Sequence, residues 1–130
     1  MNKALVVDDS KTIRMILRRM LKEVGFDVSE AANGKEALAV MDVERDLVTL
    51  VLADWNMPEM NGLELLKQLR QRPELSSLKV VMVTTEAETG HMNSAMEAGA
   101  NEYVMKPFTK DILLEKLARI GVLPMACVER

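Results

Sequence analysis

The feature that most constrains the fold is an alternation of short apolar runs with longer segments of helical periodicity. The runs are rich in β-branched residues and cover residues 4–7, 50–53, 80–83 and 103–105. Runs of this kind are typical of strands that are buried on both faces of a parallel sheet. Phe26, Val28 and Glu30 occupy alternating positions instead, which predicts an edge strand near residues 27–31.

The segments between these runs carry apolar residues at helical spacing. The clearest stripe consists of Ile13, Ile16, Leu17, Met20, Leu21 and Val24. Ser10 is a suitable N-cap for this helix, and Gly25 is a suitable residue just past its end. Four further helices are predicted: one opened by Asn33-Gly34, one around residues 63–69, one over 88–98, and one over 109–121 with Thr109 as its cap.

Strictly alternating strands and helices imply right-handed crossovers and a parallel sheet with helices on both faces. Five units are too few for a closed eight-stranded barrel. The sequence therefore predicts an α/β fold, an open, doubly wound, five-stranded parallel sheet with five helices. The chain has 130 residues, and we expect one domain over residues 1–121 and a short C-terminal tail over 122–130.

The composition argues against several classes of protein. The net charge is −3 and acidic and basic residues are mixed along the chain, so no surface for nucleic acid or for a membrane is predicted. No apolar run approaches the roughly 18 residues that span a bilayer, and the N-terminus does not resemble a signal peptide. The single cysteine, Cys127, cannot form an internal disulfide, which suits a cytoplasmic location.

Polar side chains follow four of the apolar runs at the point where each run ends. They are Asp8-Asp9, Asp54, Thr84-Thr85 and Lys106-Pro107. Ligand sites in open α/β sheets lie at the carboxyl ends of the strands, so we expect these residues to meet.

Three neighbouring carboxylates repel one another, by about 1 kcal/mol per pair at 4 Å in water and about 4 kcal/mol at an effective dielectric constant of 20. Lys106 is the one cation among the strand-end residues, so a hard divalent cation is the natural complement. Carboxylate oxygens without His or Cys favour Mg²⁺. A carboxylate beside a metal ion and a lysine is also a known nucleophile, as in aspartyl-phosphate formation.

Four segments of the chain resemble the receiver domain of two-component response regulators. They are VVDDS, ADWNMPEMNG, MVTTEA and EYVMKPF, and the resemblance extends from residue 3 to about residue 121. Each segment is weak alone, but the four together, in order and at matched strand ends, are highly specific. The resemblance implies a flavodoxin-like sheet with strand order 2-1-3-4-5 and a cis Lys106-Pro107 peptide bond. It is strongest with the stand-alone receivers that act in chemotaxis.

The resemblance also implies a role for each site residue. The phosphoacceptor would be Asp54, and Lys106 would contact the phosphate. The Mg²⁺ ligands would be Asp8, Asp9, Asp54 and the carbonyl of Asn56. The switch would consist of Thr84 and Tyr103, and the rate of autodephosphorylation would be tuned by Asn56 and Glu86. The phosphoryl donor would be a histidine kinase. No output domain is recognisable, so we expect a protein target to dock on the face formed by helix 88–98, strand 103–105 and helix 109–121.

Other functions stay open at this point. A stand-alone receiver in a different phosphorelay fits the same residues, as does a receiver that docks without phosphorylation. A Mg²⁺-dependent aspartyl phosphatase resembles the pattern too, but it has a second acid where this chain has Asn56. A flavodoxin-like cofactor site would require a phosphate-binding loop at Asp8-Asp9, whose charges would repel phosphate.

Overall fold

The computed structural model describes residues 3–57, 60–85 and 89–122, and for residues 85 and 89–92 it describes the backbone alone. Its elements in chain order are β1 Lys3–Val7, α1 Lys11–Glu23, β2 Asp27–Ala31, α2 Gly34–Glu44, β3 Val48–Asp54, α3 Gly62–Arg70, a short 3-10 helix Pro73–Leu75, β4 Lys79–Thr85, α4 Thr89–Glu97, β5 Glu102–Lys106 and α5 Lys110–Arg119. Each predicted strand and helix is present, and the ends differ by a few residues at most.

The five strands form one parallel sheet in the order β2-β1-β3-β4-β5. The prediction of a doubly wound α/β sheet is confirmed, together with the strand order that the resemblance implied. Strand β2 lies at one edge, as its alternating pattern predicted. The chain adds β2 on one side of β1 and then β3, β4 and β5 on the other side, so β1 and β3 are neighbours at the point where the direction of winding changes. The carboxyl ends of these two central strands are therefore adjacent.

The sheet separates two hydrophobic cores, because successive side chains of a strand point to opposite faces. Val51 and Met82 contribute to one core, which is completed by helices α2, α3 and α4. Leu52 and Val81 contribute to the other, which is completed by helices α1 and α5. Both faces of the central strands are thus covered, which explains why their sequences are apolar throughout.

The helix ends follow the local signals in the sequence. The side chains of Ser10, Asn33 and Thr109 accept a hydrogen bond from the third N–H of helices α1, α2 and α5, respectively. Helix α3 begins in the same way with a capping box between Asn61 and Glu64, which the sequence analysis did not identify. Gly25 follows α1 with a φ of 99°, a left-handed conformation that glycine adopts without strain.

Three apolar residues at helical spacing in the predicted helices are exposed rather than buried. Ile16 is 42% exposed, Met96 is 46% exposed and Ile112 is 44% exposed. In α5 the buried residues are Leu113, Leu114, Leu117 and Ala118, so the core face is centred beyond Ile112. The predicted stripe was therefore correct in period but included a margin that faces solvent.

The predicted C-terminal tail lies mostly outside the described residues. Val122, its first residue, packs against the core beneath α1 and α5. The division of the chain at residue 121 stays a prediction. Within the described ranges, none of the helices combines the length and the apolar character needed to cross a bilayer.

Candidate functional site

Three carboxylates converge at the carboxyl ends of β1 and β3. Asp8 follows β1 directly and Asp54 is the last residue of β3, and Val7 and Ala53 are partners in the register between these strands. Carboxylate oxygens of Asp8, Asp9 and Asp54 all lie within 4.8 Å of one another. The expected cluster is therefore present, and we call these three residues, with Lys106, the acidic cluster.

Burial and charge at the acidic cluster are unevenly distributed. Asp8 is 1% exposed and Asp54 is 6% exposed, whereas Asp9 faces solvent. The Nζ atom of Lys106 lies 3.1 Å from Asp8 Oδ2 and 3.5 Å from Asp54 Oδ1. The ammonium therefore contacts two of the three carboxylates, and the four groups together carry a net charge of −2 when all are ionised.

This imbalance affects the protonation of Asp54. Burial raises the pKa of the Asp54 carboxyl above its ordinary value, and the charge of Asp8 raises it further. Lys106 and the backbone N–H of Asn56, which donates to the carboxylate, act in the opposite direction without cancelling the increase. The ionised carboxylate of Asp54 is thus short of positive charge.

Backbone hydrogen bonds hold Trp55 and Gly62, which follow Asp54 in the chain. The N–H of Trp55 donates to the carbonyl of Val83 at 2.9 Å, and the N–H of Gly62 donates to the carbonyl of Trp55 at 2.9 Å. A Cβ atom on Gly62 would lie only 2.4 Å from the backbone oxygen of Asp54, so this position requires glycine. The N-terminus of α3 therefore packs directly against the backbone of the strand end that carries Asp54.

Thr84 and Tyr103 belong to the same face of the sheet. Thr84 is 2% exposed and shares its strand face with Val80 and Met82, which belong to the core covered by α3 and α4. Tyr103 is half-buried and packs against that same core. Lys106, three residues further along β5, points to the other face. Of the remaining predicted site residues, Asn56 is exposed and Glu86 lies outside the described residues.

A second buried carboxylate was not identified from the sequence. Glu102, at the start of β5, is 7% exposed, and its carboxylate lies 3.8 Å from Lys116 Nζ and 3.4 Å from Arg119 Nη1. It also accepts the N–H of Tyr103 at 3.0 Å. We call Glu102, Lys116 and Arg119 the β5 ion-pair cluster. Glu102 is the first residue of a strand while its partners lie on a helix, so the sequence alone gives no signal of this cluster.

Comparison with known proteins agrees with this fold. Residues 4–118 match the family described as response regulator receiver domain. The chain is 45% identical over 116 residues to chemotaxis protein CheY1 of Helicobacter pylori, with 88% of this chain and 93% of that protein covered. It is 46% identical to a chemotaxis protein CheY homolog of Campylobacter jejuni, with 88% of each chain covered.

Solved structures of similar proteins share this fold. Chemotaxis protein CheY4 of Vibrio cholerae has a TM-score of 0.84 and 35% sequence identity, over 92% of this chain and 98% of that one. A putative response regulator from Chloroflexus aurantiacus has a TM-score of 0.84 and 32% identity, over 91% and 95%. The chain belongs to the response regulator receiver domain family and is similar to CheY proteins. Members of this class are signalling proteins rather than classical enzymes.

Proposed function

We propose that this receiver accepts a phosphoryl group on Asp54 from a histidine kinase, with the help of Mg²⁺, and then binds a protein target. The observation that carries the proposal is the acidic cluster, in which the buried carboxylate of Asp54 lies beside two further acids and 3.5 Å from a single lysine. Such an arrangement is costly for a purely structural site. The relatives named above support a role in chemotaxis signalling.

In the proposed transfer, an oxygen of Asp54 attacks the phosphorus of a phosphohistidine and the phosphorus–nitrogen bond breaks. The electron pair of that bond stays on the histidine imidazole, which takes up a proton. Lys106 donates to an oxygen of the transferred group, so the charge that collects there is partly balanced. Phosphoryl transfer needs little beyond in-line positioning and balanced charge.

The donor set of the acidic cluster fits Mg²⁺. Its three carboxylates contribute only hard oxygen atoms, and the solvent-facing Asp9 leaves room for the waters that this ion retains. Asp9, Asp54 and the carbonyl of Asn56 would hold the ion, with Asp8 acting mainly through water. Bound Mg²⁺ would neutralise charge on the phosphoryl oxygens.

Phosphorylation of Asp54 is tested with acetyl phosphate and followed by intact mass. We expect one added phosphoryl group on the wild type, removed by hydroxylamine as for an acyl phosphate, and none on Asp54→Asn. Glu102→Gln is the matched control, because it removes a buried carboxylate that lies outside the acidic cluster, and this variant should still be labelled. Label that persists in Asp54→Asn, or that survives hydroxylamine, would contradict the proposal.

The proposed docking face consists of α4, β5 and α5. Met96, Met105 and Ile112, one on each element, are 46%, 39% and 44% exposed. Exposed apolar side chains on neighbouring elements favour contact with a protein rather than with nucleic acid. Thr84 and Tyr103 connect this face to the site, because both side chains belong to the face of the sheet that α4 covers.

Docking is tested by capture from a lysate with protein carrying beryllofluoride on Asp54. We expect a captured target that depends on beryllofluoride and is lost with Ile112→Glu. Val43→Glu, at an 83% exposed residue on α2, is the matched control and should retain the target. Equal capture with and without beryllofluoride would contradict a phosphorylation-dependent face.

We also propose that the phosphorylated state is short-lived. The N–H of Asn56 is fixed by its hydrogen bond to Asp54, while its side chain faces solvent and is free to position an attacking water. Decay of the label is therefore expected to be slower in Asn56→Met and in Glu86→Leu, with Mg²⁺ affinity nearly unchanged. Equal lifetimes in the wild type and both variants would contradict water positioning by these side chains.

A further inference from the structure

Four hydrogen bonds hold Asp8, the buried member of the pair that begins the acidic cluster. Its N–H donates to the carbonyl of Ala31 at 3.1 Å, and its two carboxylate oxygens accept from the N–H of Ser10 at 2.8 Å and from Lys106 Nζ at 3.1 Å. The fourth bond reaches its backbone oxygen, which accepts from Arg14 Nη1 at 2.6 Å. Of these partners, Lys106 and Arg14 carry a positive charge, and Arg14 is the one of the two with no role in phosphoryl transfer.

Arg14 is itself held in a fixed direction. Its Nε atom donates to Glu30 Oε1 at 3.1 Å, and its side chain is only 15% exposed. Glu30 lies on β2, where it pairs with Val6 of β1, and its other oxygen accepts from Arg18 Nη1 at 2.9 Å. The guanidinium is thus fixed between a strand-borne carboxylate on one side and the Asp8 carbonyl on the other.

The carbonyl of Asp8 and the N–H of Asp9 belong to one planar peptide unit. Fixing the direction of that carbonyl therefore fixes the plane that contains the N and Cα atoms of Asp9, from which its side chain extends. Asp9 is exposed, and within the part of the chain that the structure describes its carboxylate makes no hydrogen bond or ion pair with another protein group, so its position rests mainly on its backbone.

We propose that Arg14 is a positioning residue for the metal site: by holding the Asp8–Asp9 peptide through its bond to the Asp8 carbonyl, it places the Asp9 carboxylate for Mg²⁺. This inference rests on the proposed function, because it assumes that the acidic cluster binds Mg²⁺. Partners outside the ligand set that orient metal ligands commonly change metal affinity by about 10- to 100-fold.

Loss of a positioning contact and loss of a positive charge would change the Mg²⁺ affinity in opposite directions, which makes the inference testable. Arg14 carries a positive charge near the cluster, so removing that charge should strengthen the binding of a dication if Coulomb attraction alone decides. Removing a positioning contact should weaken it. Arg18 provides a matched control, because it also binds Glu30 and carries the same charge, whereas in the described structure it forms no hydrogen bond or ion pair with Asp8 or Asp9.

The experiment measures Mg²⁺ affinity by calorimetry and by the fluorescence of Trp55, with MgCl₂ as the only added ligand. We expect Arg14→Gln to bind about tenfold more weakly than the wild type, and Arg18→Gln to bind as tightly or slightly more tightly. Arg14→Lys keeps the charge but lacks the planar guanidinium that donates to two acceptors at once. We therefore expect this variant to bind Mg²⁺ about threefold more weakly than the wild type. Equal or tighter binding by Arg14→Gln, relative to Arg18→Gln, would overturn the inference.

Thermal unfolding of each variant without Mg²⁺ separates positioning from loss of folding. Arg14→Lys is the variant that decides if Arg14→Gln proves unfolded, since it keeps both the charge and the aliphatic stem. We expect no saturation with Mg²⁺ in Asp9→Asn. If the wild type also showed no saturation, the proposed metal site would be overturned, and this inference with it. Saturation in the wild type and in both Arg14 variants at equal affinity would overturn the inference alone.

Discussion

The acidic cluster and the β5 ion-pair cluster are both built around buried carboxylates, yet their charge balance is opposite. At the acidic cluster, three carboxylates share one lysine. At the β5 ion-pair cluster, one carboxylate has two basic partners and a backbone N–H. Burial of an acid therefore does not distinguish the two places, because Glu102 is 7% exposed and Asp54 is 6% exposed.

The difference shows which property indicates a binding site in this domain. Glu102 is satisfied by groups of the protein, so it needs no further cation and serves to attach α5 to the start of β5. Asp54 has hydrogen-bond partners, but its charge is not balanced, and burial and the nearby Asp8 raise its pKa. An unbalanced buried charge is expensive to maintain for stability alone, which favours a functional reason for it.

The sharpest test of this comparison is the response to Mg²⁺. We expect Asp9→Ala to lose at least about 100-fold in Mg²⁺ affinity, because a direct ligand is removed, and Glu102→Gln to bind like the wild type. Mg²⁺ at 100 times its dissociation constant should stabilise the wild type by about 2.7 kcal/mol, with no comparable effect on Asp9→Ala. Unfolding curves with and without MgCl₂ measure this, and unchanged stabilisation of Asp9→Ala would remove the acidic cluster as the metal site.

Lys106 offers a second test, in the absence of metal. Lys106→Met leaves Asp8 and Asp54 without a cationic partner, so we expect the free energy of unfolding to fall by about 2 kcal/mol in buffer with EDTA. Mg²⁺ should bind more tightly to this variant than to the wild type, because a competing positive charge is gone. Denaturant unfolding and Mg²⁺ titration measure the two effects, and weaker Mg²⁺ binding would contradict the charge argument.

Neutralising the two buried acids should change stability in opposite directions. Without Mg²⁺, Asp54→Asn removes repulsion and should raise the free energy of unfolding by about 1 kcal/mol. Glu102→Gln leaves Lys116 and Arg119 without a carboxylate and should lower it by about 1 kcal/mol. Denaturant unfolding in EDTA measures both variants, and changes of the same sign would show that the two clusters are alike.

The pH dependence of the Asp54 effect follows from the same imbalance. The folded pKa of Asp54 lies above the ordinary value of 3.8, so between these two values the folded state binds more protons than the unfolded state. Stability of the metal-free wild type should therefore fall as pH rises through this window, relative to Asp54→Asn. If the difference in the free energy of unfolding between the wild type and Asp54→Asn stayed constant with pH, the raised pKa of Asp54 would be contradicted.

The smallest effect is expected at Lys116. Its Nζ atom lies 4.7 Å from the centre of the Tyr103 ring and 3.8 Å from Glu102, while Arg119 remains as a second partner of that acid. Lys116→Met should lower the free energy of unfolding by about 0.5 kcal/mol, mainly through the lost contact with the ring. A double-mutant cycle with Tyr103→Leu measures the coupling, and a loss as large as that in Lys106→Met would show that Lys116 is not redundant.

Much of the fold was predictable because its signals are local. Helical spacing located α1, capping residues such as Ser10 and Thr109 marked helix starts, and apolar runs located the central strands. The candidate site was predictable for a related reason: in a parallel sheet all strands end at one edge, so Asp8, Asp54 and Lys106 had to approach one another once the strands were identified. The strand order came from the family resemblance, since no pattern within the chain specifies which strands are neighbours.

Contacts that depend on register and on helix placement were decided by the tertiary structure. Glu30, which β2 places alongside Val6, gives Arg14 a second partner besides the carbonyl of Asp8, and Glu102 contacts Lys116 and Arg119 because α5 packs beside β5. The sequence by itself determined the types of element and the residues at their ends, because hydrophobic period and capping act over a few residues. Which charges are balanced and which are not was decided by tertiary structure, because ion pairs join side chains that are far apart in the chain.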